Sequence, residues 1–320
     1  MKRLAFACLL VTLSHAVHAA DFPIRPVRFL VANPPSGTTD LIARLLAKRL
    51  GEMWGQSVIV DNRAGGGGTI GTDIVAKAEG NGYTILISAP APITTNITLF
   101  GGLPYDPQKD LRPITLIAIT PSLLLVGPSI PSKTVSELIA LAKSRPGKLN
   151  YASAGIGNPS HLQGVMFSNM AGVDMVHVPY KGTGPAIVDL LGGTVDIMFN
   201  TIPAMLPLVK ANRVRALAIT SSKRFSGLPD VPTTTEVGMP SLQSSGWYGA
   251  LAPGKTPDAL IKKLHADFTA AIDTPEVRDV LVSQGAFVIG DTPAHFAAFI
   301  RDETERVRKV IKASGARRDR

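Results

Sequence analysis

Short apolar runs rich in β-branched residues alternate with amphipathic stretches along the first ninety residues. Residues 28–32, 58–60 and 83–88 have the pattern typical of buried strands. Apolar side chains recur at helical spacing over 40–50, and a shorter helix is expected over 73–78. This order predicts a βαβαβ unit.

The same alternation restarts after residue 130. Thr134 followed by Glu137 predicts a capped helix that ends by Arg145, before a Pro-Gly pair. Further strands are expected over 151–153, 175–178, 195–199 and 216–219, with helices over 159–170, 185–191 and 203–211. Strands that alternate with helices predict an α/β fold of two lobes, each a mainly parallel sheet flanked by helices.

The C-terminal part is mostly helical, with helices expected over 258–272, 275–283 and 293–311 and a short strand over 287–289. Helices without strands of their own need a sheet to cover, so the chain is expected to return to the first lobe. Two extended segments, 121–126 and 247–252, would carry it across as hinge strands. The predicted division is 21–122 plus 250–320 for lobe 1 and 123–249 for lobe 2, which includes the return strand.

The N-terminus has the features of a secretory signal peptide. Lys2 and Arg3 precede an apolar stretch over 4–13, and small residues follow. Ten apolar residues are too few to span a bilayer core, which needs about 20. Residues 1–20 are therefore expected to be removed, with cleavage near Ala19 or Ala20.

Composition narrows the function classes. The formal charge of +9 falls to +7 without Lys2 and Arg3, and the remaining basic residues are dispersed rather than clustered with aromatic residues, so no nucleic-acid partner is expected. The single cysteine, Cys8, lies in the leader. A disulfide framework, a cysteine-rich zinc site and a cysteine nucleophile are thereby excluded from the mature chain.

Two loops share a design that suits an anionic group. Residues 33–40 and 154–161 each join the end of a predicted strand to a helix, with Asn158 as the expected N-cap of the second helix. Backbone N–H groups and small hydroxyls then lie at a helix N-terminus, and neither loop holds a Lys or Arg. The alternative is that both are ordinary strand-to-helix turns with good caps. Loops over 88–92, 180–183 and 200–202, together with Tyr248 on the return strand, could line the same cleft.

A search for catalytic and cofactor motifs is negative. Residues 66–71 fit G-x-G-x-x-G, but neither an acid about 20 residues later nor a following lysine is present, so a permissive glycine turn is expected there. No G-x-S-x-G or H-E-x-x-H motif occurs. Ser160 and His161 are adjacent in a first helical turn, where side chains diverge. No enzymatic activity, cofactor or metal is expected.

The chain resembles the substrate-binding proteins of tripartite tricarboxylate transporters, the Bug family, over about residues 23–311. The resemblance rests on the ordered motifs at 34–40, 61–63, 82–84, 103–106, 149–155, 160–162, 177–182 and 228–233. It implies a periplasmic clamshell, the Venus flytrap fold, that captures a small organic solute and delivers it to the inner-membrane permease subunits of a transporter. A monomer is expected.

In that family, backbone groups and ordered waters of the two loops hold the solute's carboxylate, which here implies residues 35–38 and 155–161. Two departures bear on the solute. Ser36 replaces a usual glycine, and Asn200 stands where many relatives have an acid suited to an amine. An amino-acid solute is therefore disfavoured, whereas a carboxylate or a related amide stays open.

The predicted ligand-binding residues are Pro35, Ser36, Gly37, Thr38, Ala89, Pro90, Ser153, Gly155, Gly157, Asn158, Ser160, His161, Asn200, Thr201 and Tyr248. Two other functions stay open: a ligand sensor that acts on a signalling partner, and a secreted α/β hydrolase, for which the sequence offers no nucleophile.

Overall fold

The computed structural model describes residues 22–35, 37–156, 158–180, 182–242 and 245–314. The predicted signal peptide lies outside these residues. The strands of the described chain are β1 Val27–Val31, β2 Val58–Asn62, β3 Thr84–Ser88, β4 Leu111–Val126, β5 Asn150–Ser153, β6 Val176–Pro179, β7 Ile197–Thr201, β8 Arg215–Ile219, β9 Ser245–Pro253 and β10 Phe287–Val288.

The α-helices of the described chain are α1 Thr38–Trp54, α2 Thr69–Ala76, α3 Asn96–Leu99, α4 Val135–Ser144, α5 Pro159–Ala171, α6 Thr183–Gly192, α7 Ile202–Lys210, α8 Asp258–Ile272, α9 Pro275–Ser283 and α10 Pro293–Ser314. A π-helical turn, Ala91–Thr95, leads directly into α3. Short 3-10 turns occur at Gly66–Gly68 and Pro240–Leu242.

The strands form a mixed, curled sheet whose order is β2-β1-β3-β9-β4-β7-β5-β6, with β8 and β10 also pairing with β4. Parallel pairing joins β1 to β2 and β3 in the first lobe, and β5 to β6 and β7 in the second. All the antiparallel pairs of the described strands involve β4 or β9, and β4 has partners in both lobes. The predicted parallel sheets thus flank an antiparallel centre.

Strand alternation places a separate core on each face of the first lobe. Phe29 packs with α1, α8 and α9, whereas its neighbour Leu30 packs on the other face with Trp247 and with Phe296 of α10. The C-terminal helices therefore complete the cores around β1, as their lack of strands predicted. The second lobe repeats this arrangement, with α4 and α5 on one face and α6 and α7 on the other.

β4 is a single strand of 16 residues that belongs to both lobes. It pairs with β9 from Leu111 to Pro121 and with β7 from Ser122 to Val126. The change of partner follows Pro121, which has no N–H to donate. Both predicted crossing segments are strands, and both extend beyond the predicted bounds. The exact lobe boundaries stay a prediction.

The glycine-rich stretch that mimics a dinucleotide motif is a turn, as predicted. Gly65, Gly66, Gly67 and Gly68 all have positive φ, between 57° and 129°. Backbone of this kind favours glycine, which has no Cβ. The helix that follows, α2, begins earlier than the predicted residue 73 because the 3-10 turn runs directly into it.

Candidate functional site

A cleft of about 690 Å³ lies between the lobes, at the carboxyl ends of parallel strands from each. Ligands of open α/β sheets bind at such strand ends. The described lining residues are Asn33, Pro34, Pro35, Gly37, Thr38, Thr39, Ala89, Pro90, Ala91, Ser122, Ala154, Asn158, Pro159, Ser160, Gly182, Thr183, Gly184, Phe199, Asn200, Thr201, Gly246 and Tyr248.

The first lobe presents the N-terminus of α1 to the cleft. Gly37 is the N-cap residue and has no side chain with which to cap the helix. The first-turn N–H groups, which have no partner within a helix, therefore lie beside the cleft. Asp40 in the same turn is buried, is not a lining residue, and is paired with Arg44 at 2.9 Å between Oδ2 and Nε.

The second lobe presents the loop between β5 and α5, which internal hydrogen bonds hold in place. Asn158 Oδ1 accepts from Ser160 N at 3.2 Å and from Ser160 Oγ at 3.0 Å, so the predicted N-cap is confirmed. Ser160 Oγ in turn accepts from Ala154 N at 3.0 Å. The Ser160 hydroxyl is therefore committed to the loop, even though the residue lines the cleft.

Two further α-helices begin at the cleft. α6 has Gly182 as its N-cap residue, and α7 has Thr201, whose hydroxyl forms no capping bond with any described residue. In the first lobe, the helical segment that starts at Ala91 also begins there. Helix N-termini from both lobes thus converge on one cleft.

The lining residues that the structure describes include no Asp, Glu, Lys or Arg. Each helix N-terminus carries the equivalent of about half a positive charge and offers N–H donors. The described lining therefore favours an anion through N–H and O–H groups and helix dipoles.

Tyr248 brings the return strand into this lining. It lies on β9, is 7% exposed, and its hydroxyl is near the side chains of Thr38 and Thr120. Burial raises the pKa of its hydroxyl, so the group is neutral at neutral pH. A residue of the return strand thereby lies close to the first turn of α1 at the cleft.

Asn200 lies near the end of β7, at the cleft. It is 8% exposed, and its Oδ1 accepts from Thr201 N at 2.8 Å. Its Nδ2 has no hydrogen-bond partner among the described residues. A buried N–H donor without a hydrogen bond costs free energy, so a bound molecule that accepts from this amide would be stabilised.

His161 does not line the cleft. Its ring is 6% exposed and stacks on His177, with ring centroids 4.0 Å apart, and His177 stacks in turn on Tyr151 at 4.9 Å. Burial, with a contribution from His177, lowers the pKa of His161 to about 4, and burial also lowers the pKa of His177. Both rings are therefore neutral at pH 7.

Ser153 and Gly155 also lie outside the lining. Ser153 is fully buried, and its hydroxyl contacts His177 Nε2 at 2.7 Å and accepts from Gly155 N at 3.2 Å. Gly155 has a φ of 132° and turns the chain behind the cleft. These residues support the loop rather than face the solute.

The structure brings ten of the predicted site residues to the cleft: Pro35, Gly37, Thr38, Ala89, Pro90, Asn158, Ser160, Asn200, Thr201 and Tyr248. Ser36 and Gly157 lie outside the described residues. Their roles in binding stay predictions.

Sequence reasoning missed Ser122 and Phe199. Ser122 follows Pro121 at the point where β4 changes partner, a signal that could have indicated it. Phe199 lies inside an apolar strand, where no pattern distinguishes it from an ordinary core residue.

Comparison with known proteins decides the family. A model of the tripartite tricarboxylate transporter family receptor matches residues 42–316. The chain belongs to this family. The predicted resemblance to the Bug proteins is confirmed, since BugT of Bordetella pertussis is 38% identical over 302 residues, covering 94% of this chain and 93% of BugT.

Solved structures confirm the two-lobed binding-protein fold of this receptor. A protein of R. palustris solved with adipate is 36% identical, with a TM-score of 0.84 over 93% of this chain and 99% of that one. MatC of Rhodopseudomonas palustris with bound malate is 34% identical, with a TM-score of 0.79 over 91% of this chain and all of MatC. The family and its solved relatives are binding proteins rather than enzymes.

Among the described residues of the receptor, no group of three or more His, Cys, Asp or Glu side chains is placed to hold a metal ion. The helices of the described chain include none with the length and apolar character needed to cross a membrane.

Proposed function

We propose that this receptor captures a small carboxylate in the cleft between its lobes, in the periplasm, and delivers it to the membrane subunits of a tripartite transporter. The observation that carries the proposal is the convergence of α1, α5, α6 and α7, by their N-termini, on a cleft whose described lining has no charged side chain.

Because both lobes present helix N-termini, the cleft suits a small anion that has a polar group at each end, one facing each lobe. α1 and the segment at Ala91 contribute N–H groups from one lobe, and α5, α6 and α7 contribute them from the other. A carboxylate against either set would accept hydrogen bonds and interact favourably with the helix dipoles. The volume of about 690 Å³ lies within the range of about 300–1,000 Å³ that is usual for small-molecule sites.

Similarity supports the same solute class. The relatives solved with adipate and with malate each hold a dicarboxylate in a fold that this chain shares over more than nine-tenths of its length. The description of the family as a transporter receptor supports delivery to a transporter. The signal-peptide pattern over residues 1–20 supports export to the periplasm.

The cleft is proposed to close by movement of the lobes about β4 and β9. β4 pairs with β9 in the first lobe and with β7 in the second, and the main cores of the two lobes are separate clusters. The predicted boundaries at residues 122–123 and 249–250 fall within β4 and β9. A solute that contacts both lobes would favour the closed form.

Binding is tested with matched charged and uncharged probes. Succinate, malate, glutarate and adipate are each titrated by calorimetry and thermal shift, together with succinamide, malamide, glutaramide and adipamide as uncharged controls. We expect at least one carboxylate to bind and to raise the melting temperature as its concentration rises. Its diamide should bind at least about tenfold more weakly, since charged acceptors form the stronger hydrogen bonds. Equal affinities for the acid and its diamide would contradict recognition of the solute's negative charge by the cleft.

Transport is tested separately. Membrane extracts are passed over the immobilised receptor with and without the carboxylate that binds. Retention of permease subunits only when the carboxylate is present supports delivery, whereas retention of a signalling protein would instead favour a sensor.

A further inference from the structure

The side-chain amide of Asn200 has a fixed orientation at the cleft. Asn200 is the last but one residue of β7, and its Oδ1 accepts from the backbone N–H of Thr201 at 2.8 Å. Because a backbone N–H can only donate, the group that faces it must be the oxygen of the amide. The nitrogen is thereby held on the other side.

That nitrogen is shielded and has no partner. Asn200 is 8% exposed, and its Nδ2 forms no hydrogen bond with any described residue. Native structures pair nearly all buried polar groups, so a donor left without a partner beside a cleft indicates that a ligand supplies the acceptor. Asn200 lines the cleft together with Phe199 and Thr201.

The N-terminus of α7 adds to the same preference. Thr201, the residue after Asn200, is the N-cap residue of this nine-residue helix, which begins at Ile202. An N–H donor and the positive end of a helix dipole therefore lie next to each other. Both favour an oxygen acceptor, and both disfavour an ammonium group, which offers only donors and a positive charge.

We infer that Asn200 donates through Nδ2 to an oxygen of the bound solute and excludes an ammonium group from that position. This inference rests on the proposed function and adds a specificity-determining residue to it. The cleft would then prefer a carboxylate to the amino acid of the same skeleton.

The test replaces the donor by an acceptor of the same shape. In N200D, one carboxylate oxygen can still accept from Thr201 N, while the other presents a negative charge where Nδ2 was. Asn200→Leu removes the donor without adding charge. N212D is the matched control, since Asn212 is exposed in a turn that does not line the cleft. Circular dichroism and melting curves establish that each variant folds.

The probes are the tightest-binding acid of the panel described above and its 2-amino counterpart, aspartate for succinate or malate, glutamate for glutarate and 2-aminoadipate for adipate. Calorimetry should show that N200D loses at least about tenfold in affinity for the acid, and that its preference for the acid over the amino counterpart also falls at least about tenfold. Asn200→Leu should lose acid affinity without gaining affinity for the amine. N212D should stay within about twofold of the unaltered protein.

Unchanged acid affinity and unchanged preference in both Asn200 variants would overturn the inference while leaving carboxylate binding intact. If the unaltered protein binds no acid of the panel, the proposed function fails before any variant is compared. The two failures are therefore distinguishable.

Discussion

Gly37 and Gly155 lie in equivalent loops of the two lobes, but they differ in whether another residue could replace the glycine. Gly155 has a φ of 132°, and a Cβ there would lie 3.4 Å from Tyr180 O, so a side chain would strain the loop. Gly37 has a φ of −88°, and its nearest neighbour to an added Cβ would be Pro34 O at 3.8 Å. Only at Gly37 can a side chain be added without disturbing the protein.

Gly37→Thr is therefore expected to separate binding from stability. Threonine is a favourable N-cap, so the melting temperature should hold or rise, while its hydroxyl would occupy first-turn N–H groups and its methyl group would enter the cleft. Calorimetry should show at least about a tenfold loss of carboxylate affinity. Gly102→Thr, where an added Cβ meets nothing within 4 Å, is the control and should bind normally. Full affinity in Gly37→Thr would mean that the solute does not approach α1.

The buried histidine pair predicts a dependence of stability on pH. The pKa of His161 is about 4 in the folded protein and about 6.5 in the unfolded chain. Above pH 6.5 both states are neutral, but between pH 6.5 and 4 the unfolded chain binds the extra proton. The free energy of unfolding should therefore decrease as the pH is lowered from 6.5 to 4, by at most about 1.4 kcal/mol per pH unit for this group. It should level off below pH 4.

Melting curves of the unaltered protein and of His161→Gln between pH 8 and pH 4 check this prediction. The variant lacks the titrating ring, so its melting temperature should fall less steeply across the window. Parallel curves for the two proteins would show that other groups cause the acid sensitivity.

The site could be predicted from the sequence where local rules decide the position of a side chain. Asn158 follows from the N-cap rule, and Gly37 follows from a strand-to-helix turn at a strand end. His161 could not be placed in this way, because the direction of its ring in α5 depends on stacking with His177 of strand β6. The donor at Asn200 likewise depends on a single bond to Thr201 that no spacing shows.

At the scale of elements, two helix caps offer a matched pair. Thr134 caps α4, and its Oγ1 accepts from Glu137 N at 3.1 Å, far from the cleft lining. Asn158 caps α5 at the cleft. Both caps were predicted from the sequence, and of the two only Asn158 is a lining residue of the cleft.

Each cap replaced by alanine is expected to cost about 1 kcal/mol of stability. Asn158→Ala should also weaken carboxylate binding, since it releases Ser160 and the loop that presents α5. Thr134→Ala should leave the affinity unchanged. Thermal melts and calorimetry on the two variants check this, and an equal affinity in both would show that the α5 loop does not contact the solute.

The bounds of a helix could be predicted from the sequence where its apolar residues recur at regular helical spacing. The bounds of α8 and α9 match the sequence pattern because an apolar stripe starts beside a proline in each. The helical segment Ala91–Leu99 was missed, since Pro90, Pro92 and a β-branched run disfavour helix and its position depends on contacts such as Tyr105 Oη to Pro92 O at 2.8 Å. Tertiary packing overrides propensity there.

At the scale of the whole molecule, a solute that binds both lobes should make the particle more compact. Small-angle scattering on the receptor with the carboxylate that binds should show a smaller radius of gyration than without it. At a carboxylate concentration that fills the unaltered protein but not Gly37→Thr, the radius of the variant should stay unchanged. An unchanged radius in the unaltered protein would argue for a cleft that is already closed.

The packing of the chain's end against its beginning also sets the order of folding. Phe29 stacks on Phe268 with ring centroids 5.5 Å apart, and Leu264 and Leu281 lie in the same core as β1. The first strands to leave a ribosome or a translocation pore therefore wait for the last helices before their core can close. Contacts of such high sequence separation slow folding. In a chain made from its N-terminus, the core around β1 would stay open until residues beyond 258 had been added, whereas the cores of the second lobe could close before them.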